Sequence, residues 1–418
     1  MTTPNDRFPA IDIARGFAVM GILALNIIAF AMPEAAYFNP RAWGGTSLAD
    51  IGAWALSFIL IDGKMRGLFS LLFGASMLLA MDKAEMEGRN GRTAHIVRAF
   101  WLAMIGLAHY LLLWWGDILL LYAAISLIAL VCTGKQPVAL VKLAFLAFAA
   151  HFVILIGLML NIYGLQNAAI APDASPMAAQ ALTDMLARIG QPGTPDIAHE
   201  VALYRGAFAP MLADRANQLP GWILSGFQFM ALDTLGFMLL GMAMLKAGFL
   251  TGQWPAAQYY MTARHCFLIG LPPMVALAAW AIWSGFDTVT TFGIAFAWSF
   301  PLRIPLTVGF AALIFRAAVR ARPGALLKRI GAAGRMTLTN YLATSLVMTG
   351  IFYGWGLGWF GMLSRAQSYL LLLPMWLLML GWSQPWLKAF RYGPAEWLWR
   401  SLERGKAMPM RRRGETPA

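Results

Sequence analysis

Long apolar runs alternate along this chain with short connections that carry most of its charge. A helix needs about 18–20 apolar residues to cross a bilayer. Runs at roughly 11–31, 65–82, 98–115, 117–133, 137–163, 220–245, 263–284, 303–320, 336–356 and 368–386 predict about ten crossings. Two apolar stretches do not fit that rule. IGAWALSFILI is too short to span and begins with Ser47-x-x-Asp50, a variant of the capping box. It predicts a helix over 47–61 that lies on the outer face or re-enters from it. The segment 164–219 carries Pro172, Pro176, Pro192 and Pro195 among helix-compatible runs. A connection of that length is usually functional, which predicts an outer-face lid or cap. After the last run, RYGPAEWLWRSLERGKAMPMRRR alternates Trp and Leu with Arg and Lys, predicting a helix on an anionic inner leaflet.

Composition agrees with the pattern. The 418 residues are 60% hydrophobic and 12% charged, with mean hydropathy +0.63; soluble domains carry about 25% charged residues. The predicted fold is therefore all-α, a polytopic helical bundle in a membrane. Residues 1–386 read as one membrane domain and 387–418 as a basic amphipathic tail. The first run lacks a small-residue cleavage site and is read as an uncleaved anchor.

The net charge of +13 suggests nucleic acid only if its location is ignored. With both termini placed inside, 24 of the 32 Lys and Arg residues fall on inner segments, including Arg7, Arg15, Arg322 and Arg413. That is the positive-inside bias, so both termini are expected in the cytoplasm and no nucleic-acid partner is expected. Cys132 and Cys266 lie in or beside runs on the inner side, which supports neither a disulfide framework nor a metal site.

Polar residues inside the runs are the candidates for chemistry, because a carboxylate at a helix centre costs about 2.5–3.5 kcal/mol on insertion scales. His109 lies near the outer end of the third run, and Asp117 follows the Trp114-Trp115-Gly116 turn. Either Asp117 orients His109 as a general base or proton relay, or Asp117 caps the next helix and His109 hydrogen-bonds a neighbouring helix. Asp62, Lys64 and Arg66, with Gly63 and Gly67 beside the cations, crowd the outer mouth of the second run. They suit an anionic group, or simple interfacial snorkelling. Asp233 is the most deeply placed acid, and a buried basic or amide partner would equally explain it. Asn340 and Tyr341 read as polar helix contacts. Arg15 sits one turn beyond Asp12 at the inner surface, and Asn26 lies about 16 Å further along the same helix. His95, His151, His199 and His265 have no evident partner, and His151 reads as a packing histidine. No P-loop, HExxH or GxSxG motif occurs.

RFPAIDIARGFAVMGILALNI, YFNP, GKMRGLFSLLFG, GLAHYLLLWWGDILLLYA, GRMTLTNYLATS and FRYGPAEWLWRSLERGK together resemble the YeiB-like family of bacterial inner-membrane proteins, a domain of unknown function. The likeness runs from about residue 7 to 413. That family is similar in architecture to the transmembrane acyltransferases, which include heparan glucosaminide acetyltransferases and bacterial sugar O-acyltransferases. The resemblance implies a multi-pass protein of the bacterial inner membrane. It also implies a cytoplasmic acyl donor such as acyl-CoA, with no permanently bound cofactor, and an envelope glycan or lipid-linked acceptor. The sugar O-acyltransferases carry Arg, ten residues, then a catalytic His in the first span. Arg15 matches the arginine, but Asn26 stands at the histidine position; Arg98 and His109 repeat the spacing in the third run.

The expected function is a membrane-embedded acyltransferase. His109 and Asp117 are its catalytic residues, and Arg15 and Arg98 hold the phosphates of the acyl donor. Asn26, Asp62, Lys64, Arg66 and Asp233 contact substrate or its developing oxyanion. Two alternatives stand beside it. In a proton-coupled exporter of a small or lipid-linked anion, Asp233, His109 and Asp117 would relay protons. In a non-catalytic envelope scaffold no one of these positions would matter. The lipid bilayer is the one partner common to all three readings, and homo-oligomerisation is left open.

Overall fold

The computed structural model describes residues 9–320 and 324–412; Arg7, Arg322 and Arg413, counted above with the inner basic residues, lie outside them. The chain begins with α1 (Pro9–Ala31), the short α2 (Glu34–Phe38) and α3 (Leu48–Leu60). A long pair follows, α4 (Lys64–Met86) and α5 (Gly91–Leu112), then α6 (Leu119–Ala129) and α7 (Pro137–Ile170). Two small helices, α8 (Pro176–Arg188) and α9 (Pro195–Arg205), lead into α10 (Phe208–Lys246) and α11 (Ala256–Trp283). A short α12 (Thr288–Gly293) passes through a π turn, Ile294–Trp298, into α13 (Phe300–Arg320). The rest comprises α14 (Ala325–Arg335), α15 (Thr337–Phe352), α16 (Arg365–Leu370), α17 (Leu372–Ala389) and α18 (Pro394–Arg404). Among the described residues there is no strand, only an isolated bridge between Phe390 and Arg411.

Seven helices among the described residues are long and apolar enough to cross a membrane: α1, α5, α7, α10, α11, α13 and the continuous α16–α17 stretch Arg365–Ala389. Three predicted runs differ from these. The run at 65–82 is a helix of sufficient length but carries several charges. Those at 117–133 and 336–356 are shorter than a full crossing, the latter a helix of 16 residues. The protein is a membrane protein; α7 alone leaves Phe145, Leu146, Val153 and Leu160 exposed, which lipid covers and water would not.

α1 is the axis of the bundle. Its apolar window is 72% buried, against 22–39% for the other six, and it packs on α4, α13, α14 and α15. Because most of α1 is buried, its polar residues lie largely among protein groups. Helices come together where glycines remove side-chain bulk, as membrane helices commonly do. A Cβ on Gly74 of α4 would collide with the Met238 carbonyl of α10, and one on Gly241 would collide with the Leu71 carbonyl. Gly241→Val is therefore expected to push α10 off α4 and destabilise the protein by at least ~1–3 kcal/mol, the usual cost of overpacking; denaturant unfolding in detergent measures it.

The segment 164–219 proves mostly helical. α7 runs on to Ile170 and α10 starts at Phe208, with α8 and α9 between them. The prolines fit these helices: Pro176 and Pro195 occupy the first helical turn, where no amide hydrogen bond is lost. Pro220 lies inside α10. α9 is tied to α2 by Glu200, whose carboxylate accepts the Glu34 amide at 3.0 and 3.1 Å. Burial, with the neighbouring Glu34 and Asp214 carboxylates, pushes the Glu200 carboxyl up to about 8. The folded cap thus holds a proton that a free glutamate releases near pH 4.5. The resulting stabilisation is complete below pH 4.5 and is lost as pH rises through about 8. Hydrogen exchange in α9 should accelerate from pH 5 to pH 9 beyond its intrinsic rate change, and Glu200→Gln should remove that excess.

The tail helix packs on the bundle. α18 docks on α5 and α15, where the Glu396 carboxylate accepts the Leu338 and Thr339 amides (2.7 and 3.1 Å) at the start of α15. Trp399 lies under the Arg98 guanidinium at 3.8 Å. Part of the alternation of Trp with charge serves these protein contacts, and Leu398 stays exposed on the other face.

Candidate functional site

His109 lies in the last turn of α5, where its carbonyl accepts both the Leu113 and Trp114 amides at 2.9 Å and ends the helix. The chain turns through Trp115 and Gly116 and returns Asp117 beside the helix it has just left. Gly106 makes the return possible, because a Cβ there would meet Asp117 Oδ1 at 2.8 Å. Asp117 does both things the sequence left open. Its Oδ1 accepts the Leu120 amide at 2.9 Å, capping α6, and its Oδ2 bonds His109 Nδ1 at 2.7 Å. The two side chains are 1% and 0% exposed. An ionised Asp117 fixes the proton on Nδ1 and leaves Nε2 as the basic nitrogen. His109 Nε2 is buried without a hydrogen-bond partner.

What faces that ring comes from distant parts of the chain. Tyr341 of α15 packs its ring 5.0 Å from the imidazole, and Trp114 stacks on Phe30 of α1 at 4.1 Å. The Tyr341 hydroxyl lies near Asp117 and the Ile118 amide without completing a hydrogen bond. Tyr341 also lines a cavity of about 10 Å³ with Asn26, Thr344 and Ser345, room for about one water molecule. Asn26 and His109 therefore flank one tyrosine at the centre of the bundle. Of the two residues read as polar helix contacts, Tyr341 leaves its hydroxyl without a hydrogen bond, whereas Asn340 bonds the Ala333 carbonyl, Ser383 and Trp382.

The remaining candidates form a second buried cluster. Arg66 pairs with Asp233 at 2.5 Å, and Arg303 of α13 pairs with Asp62 at 3.2 Å. The Tyr37 hydroxyl donates to Asp62 at 3.2 Å, and Tyr122 bonds Ser70 at 2.6 Å. Lys64 is fully buried and donates to the Phe58 carbonyl. The structure thus does not bring Lys64 and Arg66 to His109 as oxyanion donors, since each is engaged elsewhere. His151 packs on Phe300 at 4.6 Å, as read, but its Nδ1 is buried without a hydrogen-bond partner, and the charges of Asp233, Arg66 and Arg303 lie within range of it. His95 has a partner too, Ser126 Oγ at 3.1 Å. Arg303 and Tyr37 escaped the sequence reading; the signal available was FPLRIP, an arginine between two prolines inside an apolar run.

Arg15 and Arg98 lie at the other end of the bundle. Arg15 bonds Ser76 at 2.5 Å and Asp12 at 3.2 Å, while Arg98 is held by Glu403 at 3.1 Å over the Trp399 ring. At the same end a cleft of about 590 Å³ opens between α4, α5 and α10, lined by Asp82, Glu85, Arg92 and Lys246 among others. No group of three or more His, Cys, Asp or Glu suited to a metal ion occurs among the described residues.

Residues 244–406 match the family described as a protein of unknown function, DUF418. YeiB of Escherichia coli (strain K12) is 31% identical over 97% of this chain and 98% of its own length. The chain belongs to the YeiB family. YxaH of Bacillus subtilis (strain 168) is 27% identical over 96% of this chain and 95% of its own. A 39.9 kDa protein encoded beside an amylase in Bacillus acidopullulyticus is 22% identical over 97% of this chain. Relatives of this kind are matched end to end, so the central α1, the His109 turn and the α18 tail all fall inside the shared length.

Proposed function

We propose that the protein is an acyltransferase embedded in the bacterial inner membrane. The chain crosses about ten times, with both termini and α18 in the cytoplasm and α3, α8 and α9 on the outer face. The observation that supports this reading is the His109–Asp117 pair, whose free Nε2 lies beside Tyr341 and the Asn26 cavity. In the reaction, Nε2 takes the proton of an acceptor hydroxyl or amine as that atom attacks the thioester carbonyl. The carbon–sulfur bond breaks, and the thiolate leaves with the proton that His109 returns. Asp117 stays ionised, holding the imidazole in one tautomer and stabilising its cation. Asn26 and Tyr341 are placed to donate to the carbonyl oxygen as it gains charge.

The donor is an acyl thioester such as acyl-CoA, a substrate rather than a resident group. Arg15 and Arg98 are the guanidiniums at the cytoplasmic end, and its phosphates would compete with Glu403 for Arg98. A cavity of one water cannot hold the reactants, so catalysis requires α15 to draw away from α1 along the Thr344–Ser345 face. The acceptor is an envelope glycan or lipid-linked molecule. Vesicles supplied with acyl-labelled acetyl-CoA on the cytoplasmic face should label an envelope fraction only when the protein is present. Equal labelling with and without it would sink the proposal.

The second buried cluster favours one alternative, a proton-coupled transporter in which Asp233 carries the proton. Proton-driven anion flux in proteoliposomes, lost in Asp233→Asn, would support that reading over acyl transfer.

A further inference from the structure

Buried hydrogen-bond donors lack acceptors in the second cluster and in the π turn that bonds Arg303. Arg66 Nη1 and Arg303 Nε are buried and unpartnered, although each guanidinium commits another nitrogen to a carboxylate. Trp298 Nε1, in the π turn, and His151 Nδ1 are buried and unpartnered as well. Guanidinium and indole N–H groups have no lone pair to share, so only an acceptor satisfies them. On the acceptor side, Asp233 Oδ1 is the carboxylate oxygen of the cluster left unpartnered among the described residues. Planar guanidinium donors left open beside a second cation are completed best by a carboxylate or phosphate, through charge-assisted bonds.

The backbone is shaped around the same point. Gly63 has φ 72°, and a Cβ there would strike the stem of Arg303, so glycine lets the arginine pass. The π turn aims the Ala295 carbonyl at Arg303 Nη2. Such turns sacrifice regular helix bonding and are found frequently at functional sites. Within the Asp62–Arg303 pair the carboxylate is the more accessible member, 23% against 9% exposed. An anion arriving from the Asp62 side meets that carboxylate first and can take its place on Arg303.

We propose that Arg303, Arg66 and His151 form a binding site for a small oxyanion, a phosphate or carboxylate group, with Asp62 as the resident carboxylate that the ligand displaces. The site is separate from His109 and stands whether or not His109 transfers an acyl group. Its ligand is either a free anion or the phosphomonoester headgroup of a lipid.

The test uses the purified full-length protein in phosphatidylcholine nanodiscs, titrated with inorganic phosphate by calorimetry. In parallel, the thermal shift is read when phosphatidic acid replaces part of the lipid. Saturable phosphate binding that Arg303→Gln weakens roughly tenfold or more, equivalent to ~1.4 kcal/mol, is expected if the free anion is the ligand. Stabilisation by phosphatidic acid that Arg303→Gln removes, without phosphate binding, is expected if it is the headgroup. Asp62→Asn breaks the same ion pair but frees Arg303, so it should tighten binding several-fold, and this variant decides the matter should Arg303→Gln not fold. A merely structural pair predicts that both variants lower stability alike and neither changes anion affinity. That result, or no binding of either probe by the wild type, overturns the proposal.

Discussion

Asp233→Asn is expected to destabilise the protein by about 3–5 kcal/mol, the cost of leaving a buried charge without its partner. Arg66 and Asp233 are 14% and 4% exposed and meet at 2.5 Å. Removing the carboxylate strands a guanidinium in a low-dielectric interior, where its Nη1 already lacks an acceptor. The double substitution Arg66→Met with Asp233→Leu should recover most of the loss, because an apolar pair of similar volume avoids desolvating either charge. Reversible unfolding in detergent measures both. The same variant separates two accounts of the cluster: a proton carrier predicts lost flux with stability largely kept, whereas a structural or ligand-holding pair predicts lost stability.

The second large effect is catalytic. His109→Ala should lower acyl transfer by about 10²–10⁴-fold, the range supplied by a positioned general base. It should also cost stability, because it removes the Nδ1 bond to the buried Asp117 and the ring packed on Tyr341 and Trp114. Asp117→Asn should also cost activity, since an amide can present its N–H to Nδ1 and favour the wrong tautomer. It should cost some stability in addition, because Asp117 Oδ1 caps α6. Tyr341→Phe keeps the ring against the imidazole and removes only the hydroxyl. A fall in kcat without a fall in melting temperature would mark that hydroxyl as part of the site.

The sequence made the local relations visible and hid the distant ones. His109 and Asp117 are eight residues apart across one turn, so a helix end followed by a helix start brought them together in the reading. Asp233 stood out as an anomaly, but its partner Arg66 lies in another helix and no spacing connects the two. Arg303 was harder still, since its carboxylate partner, Asp62, is 241 positions away. The helices beside the cap outrun their apolar runs for a different reason: α7 continues to Ile170 and α10 begins at Phe208, through more polar residues that the hydropathy pattern leaves out. The tail pattern of Trp and Arg was chemically legible but ambiguous: the same residues suit a lipid surface and the protein groove that α18 occupies.

Thioester turnover by the purified protein tests the central assignment most directly, because it needs no knowledge of the acceptor. Protein in nanodiscs of envelope lipid extract is given acetyl-CoA, and the released thiol is measured with a thiol reagent. The account predicts steady thiol release by the wild type, nearly abolished in His109→Ala and strongly reduced in Asp117→Asn, with all three proteins equally folded by circular dichroism. Thiol release by His109→Ala at the wild-type rate would contradict it.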